Sequence, residues 1–180
     1  MRSFLLVTFF AVAARADGWR AFEEMATVLT GPRCINCHVA DDVPRQGDEL
    51  RPHDMRVKRG GDGRGTPALH CSTCHQSENT ETAHAPPGAK DWRMPPPKTK
   101  MAWLGLTLPA LCETLKDPAR NGGRSLAALE EHLREDPFVH WAWSAGPGRR
   151  PPRLTHDELV ARFVEWRAAG APCAPAGSTP

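Results

Sequence analysis

Several absences narrow this chain before any motif is read. Beyond the amino terminus no segment is long and apolar enough to cross a bilayer, so no membrane span is expected after residue 16. No run alternates apolar and polar residues as a half-buried strand does, and no strand–helix–strand pattern surrounds the cysteines, which argues against a sheet-based redox fold. Molybdopterin and iron–sulfur signatures are also missing. Neither sign of charge dominates. If residues 1–16 are a leader, Arg2 and Arg15 leave with it, and 21 basic residues then face 21 acidic ones. The basic cluster Arg51, Arg56, Lys58, Arg59 and Arg64 has no aromatic residue interleaved with it, so nucleic acid is not an expected partner. Apolar matter is sparse for the length, and 18 prolines and 15 glycines interrupt it. A chain of this size can bury a fair core unaided, yet this one looks short of interior.

Against that background two pentapeptides stand out, Cys34-Ile35-Asn36-Cys37-His38 and Cys71-Ser72-Thr73-Cys74-His75. Both read C-x-x-C-H, the attachment pattern of a c-type haem. Two thiols two residues apart can reach the two vinyl groups on one porphyrin edge, and the following histidine can ligate the iron from below. A zinc knuckle pair is usually separated by about 15–20 residues; here 33 lie between Cys37 and Cys71, and zinc leaves both histidines unexplained. The expectation is two covalently bound haem c groups, with Cys34, Cys37, Cys71 and Cys74 as thioethers and His38 and His75 as proximal ligands.

The amino terminus agrees. Arg2 precedes an apolar run, Phe4 to Ala14, and Ala14-Arg15-Ala16 has the small-x-small form of a cleavage site. Residues 1–16 are expected to be a signal peptide delivering residues 17–180 to the periplasm, where covalent haem attachment takes place in bacteria. The remaining cysteines, Cys112 and Cys173, make an even pair in an oxidising compartment. A disulfide between them is the expectation; two free structural thiols are the alternative.

The rest reads as helices strung between Pro/Gly loops. Trp19, Phe22, Met25 and Leu29 share a helical face that stops at Gly31-Pro32. Further helices are expected over Leu108–Lys116, from Ser125 to about Arg134, and from Thr155 to Gly170, the last opened by the capping box Thr155-His156-Asp157-Glu158. Residues 41–69 and the stretches around Pro86-Pro87-Gly88 and Pro95-Pro96-Pro97 read as irregular loops. The fold class expected is mainly α, a cytochrome c-like diheme domain with long irregular loops wrapping the haems. A single-haem domain typically takes roughly 80–100 residues, but the motifs begin 37 apart. One diheme unit over residues 17–180 is therefore expected, rather than two tandem domains.

The sixth ligands are open. His53, His70, His84, His132, Met55, Met94 and Met101 are candidates. Met101 follows a proline-rich loop as in small cytochromes c, and Met94 has a similar claim. His53 reads as a ligand or a propionate contact, and His132 reads equally as a core histidine. The choice favours Met101 together with His53 or His132. A thioether raises the potential, whereas a second histidine leaves it lower. The Arg51–Arg64 cluster reads as a solvated loop or, alternatively, as a docking or propionate-neutralising patch.

The chain also resembles a family. Beside the two motifs it carries Gln46-Gly47-Asp48, Pro52-His53, Arg59-Gly60-x-Asp62-Gly63, Pro87-Gly88, Trp92, Met101-x-Trp103-x-Gly105-Leu106, Leu111-Cys112, Lys116-Asp117-Pro118-x-Arg120-Asn121-Gly122-Gly123-Arg124, His132, Trp141-x-Trp143 and Gly146-x-Gly148-Arg149. In these it is similar to small proteobacterial proteins named isoquinoline 1-oxidoreductase subunit. The resemblance implies a diheme cytochrome working with a molybdenum hydroxylase, whose chemistry would reside in another subunit. It supports Met101, His53 and His132 together as distal candidates, and Met94 stands where that family has an apolar residue. Two functions follow: electron carriage between a periplasmic dehydrogenase and a respiratory acceptor, or catalysis on peroxide or nitrogen oxides at one open haem. No distal-pocket motif favours the second, so a carrier is the expected role.

Overall fold

A computed structural model describes residues 4–174, with side chains from residue 17 onward. The expected leader, residues 1–16, thus lies outside the residues whose side chains are described. Among those described, no helix is long and apolar enough to cross a membrane. The chain is mainly α. Helix α1 spans Phe4–Leu29 and α2 Pro32–Ile35; α3 covers Leu108–Lys116, α4 Leu126–Glu135, α5 Pro137–His140 and α6 His156–Ala168. Two antiparallel ladders of two residues each interrupt the loops. β1 (Arg45–Gln46) pairs with β2 (Arg51–Pro52), and β3 (Gly65–Thr66) with β4 (Leu69–His70). These ladders, absent from the sequence reading, are too short to show alternation.

Helix α1 lies along α6, and α4 also packs on α6. The seam is built from the expected faces. Phe22, Met25, Leu159, Phe163 and Trp166 are all essentially inaccessible. The Phe22 and Trp166 rings lie 5.5 Å apart, and the Trp166 indole donates to the Pro172 carbonyl at 2.9 Å. A large side chain buried this fully contributes roughly 1.5–3 kcal/mol. Two caps fall where the sequence places them: Ser125 accepts from the Ala128 amide, and Thr155 with Glu158 forms the reciprocal capping box. Thr107, which the sequence reading did not single out, caps α3 by accepting from the Ala110 amide. Gly170, at φ 84, turns the chain after α6, and Cys173 then reaches back to Cys112 on α3 in a disulfide.

Residues 36–107 are held differently. Arg59 is fully buried: its guanidinium donates to the carbonyls of Pro95, Val39 (2.8 Å) and Asp41 (2.9 Å), with the Asp42 carboxylate 3.4 Å from Nε. One cation thus ties three loop segments together. Of the basic cluster Arg51–Arg64 this removes Arg59 from the surface, while Arg51, Arg56 and Lys58 are exposed. Arg59 faces inward because the loop carbonyls have no other donor, and Arg64 is paired with Asp91. Gly63 is required where it stands, since a Cβ there would lie 2.2 Å from the Met94 carbonyl.

Candidate functional site

Each pentapeptide folds as one helical turn. The His38 amide donates to the Cys34 carbonyl at 3.1 Å and the His75 amide to Cys71 at 2.9 Å, with Cys37 and Cys74 each bonded to the first cysteine's carbonyl at 3.2 Å. Residues i, i+3 and i+4 share a face of such a turn. Both thiols and the imidazole of each motif therefore project to one side. Cys34, Cys37 and Cys71 are poor candidates for redox exchange, which needs an accessible thiolate of lowered pKa. Burial, reinforced by the Cys37 charge, pushes Cys34 up to about 12. Burial and the nearby Cys71 push Cys37 up to about 11. Burial also raises Cys71.

Behind each histidine stands a tryptophan. Trp103 stacks on His38 with ring centres 3.7 Å apart and planes within 3°, and Trp92 stacks on His75 at 4.2 Å and 2°. Each ring is also fixed at its far nitrogen: His38 Nδ1–H donates to the Met101 carbonyl (2.9 Å) and His75 Nδ1–H to the Pro87 carbonyl (2.7 Å). That fixes the tautomer and leaves Nε2 as a free base, the usual arrangement of a metal-binding imidazole. Burial lowers the pKa of His38 to about 4 and lowers that of His75, so both are neutral at pH 7.

The distal candidates separate in space. His53 lines the same cavity of about 430 Å³ as Cys71, Cys74 and His75, and its ring centre lies 6.0 Å from that of His75. His70, His84 and Met94 also line it. His132 sits on α4 with Nδ1 3.1 Å from the Asp136 carboxylate. The Met101 thioether packs beside Gly122, 3.4 Å from where a Cβ on that glycine would stand. Met55 is on the surface, 72% exposed.

These residues fit a broad apolar cofactor with acidic substituents. The cavity is of ligand size and has Trp92, Met94 and Trp141 in its wall beside Arg33, Arg45, Arg51 and Arg149. Two buried donors at the sites have no protein partner, Trp103 Nε1 and Arg33 Nε, although an unpaired buried donor costs about 1–3 kcal/mol. An anionic substituent would supply both with acceptors. No three His, Cys, Asp or Glu side chains converge as a metal-holding group among the described residues, so an iron here would rest on histidines together with a macrocycle. No family model, curated protein or solved structure matches the chain.

The sequence reading did not find the stacked tryptophans as partners of the histidines, the Pro87 and Met101 carbonyls, or Asp136. Only the spacing of Asp136, four residues after His132 on one helix, offered a signal.

Proposed function

We propose that this chain is a periplasmic diheme c-type cytochrome that carries electrons. The observation that carries the reading is the repeated turn, in which two thiols and an Nε2-free imidazole share one face at both Cys34–His38 and Cys71–His75. Bound there, haem supplies one-electron Fe(III)/Fe(II) chemistry. The chain holds it through Cys34, Cys37, Cys71 and Cys74, orients it through His38 and His75, and screens it with Trp103 and Trp92. Arg33 and Trp103 are the donors suited to its propionates. The long loops of residues 36–107 are, in this reading, the haem-wrapping loops of one cytochrome c-like diheme domain, residues 17–180. The expected signal peptide supports a periplasmic location, and the family resemblance supports a molybdenum hydroxylase as electron donor, with a respiratory acceptor downstream. Cys37 lines the same cavity as Cys71 and Cys74, so haems attached at the two motifs would share it, which suits transfer through the protein rather than chemistry at one isolated site. Production in a bacterium with a haem-maturation system, followed by peroxidase staining of the denatured protein on a gel, tests this. A stained band at the chain's mass is expected. A colourless band of the correct mass would overturn the reading.

A further inference from the structure

Five histidines among the described residues have a ring hydrogen bond, and they fall into two groups. His140 and His156 engage Nε2, donating to the Arg134 and Leu133 carbonyls at 2.7 Å. His38, His75 and His53 engage Nδ1 instead, His53 on the Asp54 carbonyl at 2.9 Å. His132 Nδ1 has only an ion-pair contact, 3.1 Å from the Asp136 carboxylate. Tying Nδ1 presents Nε2, and a backbone carbonyl on the other nitrogen is how proteins orient a ligating imidazole.

Placement pairs two of these rings. His53 and His75 line one cavity with ring centres 6.0 Å apart and planes at 66°. A first-row metal sits about 2 Å from an imidazole nitrogen, so two rings holding one ion from opposite sides have centres about 6 Å apart. Rotation about the shared axis leaves both bonds intact, so the interplanar angle is no obstacle. Met101 is on the wrong side: its carbonyl bonds His38 at Nδ1, behind the ring, and its thioether is packed beside Gly122.

Resting on the diheme reading, we propose that the iron held by His75 is bis-histidine ligated. His53 stands opposite His75, while Met101 is a positioning residue that orients His38 through its carbonyl. Two histidines keep the potential of that haem below that of a histidine–methionine pair. They also leave its iron closed to an added ligand.

The experiment is the absorption and electron paramagnetic resonance spectrum of the purified holoprotein, oxidised and reduced, with and without carbon monoxide. Wild type should be low-spin at the His75 haem, lack the methionine–iron charge-transfer band and resist carbon monoxide at that haem. His53→Ala should convert half the haem to a high-spin, carbon-monoxide-binding form. His53→Met should introduce the charge-transfer band at one haem and raise its potential, while Met101→Leu and His84→Ala leave the spectra unchanged. His53 is only half-buried on a loop, so folding is not at issue, and retained haem content checks it. A charge-transfer band in wild type that Met101→Leu removes would overturn the assignment, as would an unaltered spectrum in His53→Ala. Absence of covalent haem would instead refute the cytochrome reading itself.

Discussion

The two sites share a motif and differ in what surrounds it. The His38 site grows out of the helical core. Cys34 lies on α2 next to the end of α1, and Trp103 belongs to the same buried cluster as Phe22 and Trp166. The His75 site is made of loops, with its cavity walled by residues from Pro32 to Arg149 and its facing histidine on the segment His53–Arg56, where Met55 and Arg56 both adopt left-handed φ near 60°. Non-glycine residues pay for that conformation, roughly 1–3 kcal/mol each. The pentapeptide thus determines the local turn, and the environment is left to distant residues. One site inherits rigidity from helix packing; the other must be fastened by specific polar ties.

Removing those fastenings one by one tests the contrast. The largest effect is expected in the helical part. Cys112→Ser/Cys173→Ser opens a connection of sequence separation 61, which chain entropy values at about 4 kcal/mol. Urea denaturation should register a loss of that order, with the His75 spectrum intact. In the loop part Arg59→Met leaves three carbonyls, that of Val39 fully buried, without their donor. It should cost about 3 kcal/mol, whereas exposed Arg56→Glu should stay within about 0.5 kcal/mol. Equal effects of the two would show that Arg59 is not the tie described. Thr155→Ala removes the capping box of α6 and should cost about 1 kcal/mol, measured by thermal melting and confined to the helical part.

The smallest expected change is electrostatic. Asp48 links Arg33 to Arg150 in the cavity wall. Partial burial raises its carboxyl, but hydrogen bonds from Arg150 and the Arg33 charge outweigh this and leave the pKa below its ordinary value. A lowered carboxyl contributes stability above its unfolded pKa of about 3.9 and loses it as pH falls through the folded value. Acidification below pH ~4 should therefore loosen the loop part first. Near-ultraviolet circular dichroism would follow this, and Asp48→Asn should abolish the step.

The helical part was the legible one. Leu108–Lys116 and the Thr155 capping box fall where periodicity and caps place them, because those signals are local. The Cys-x-x-Cys-His turn is local too. Arg59 misled because charge alone reads as surface, while its burial depends on carbonyls from Val39, Asp41 and Pro95 that only the fold assembles. Met101 has a role its side chain did not signal, because its backbone carbonyl accepts from His38. The approach of His53 to His75 spans 22 residues of loop and has no periodic signature. Helix α5 escaped notice because four residues opened by Pro137 carry no apolar period.

The most direct test of the account is the covalent haem content of the holoprotein and of two motif variants, measured by the pyridine haemochrome assay against protein concentration. Two haems per chain are predicted for wild type, and one each for Cys34→Ser/Cys37→Ser and Cys71→Ser/Cys74→Ser. No covalent haem in wild type, or a content unaffected by either pair of substitutions, would contradict it.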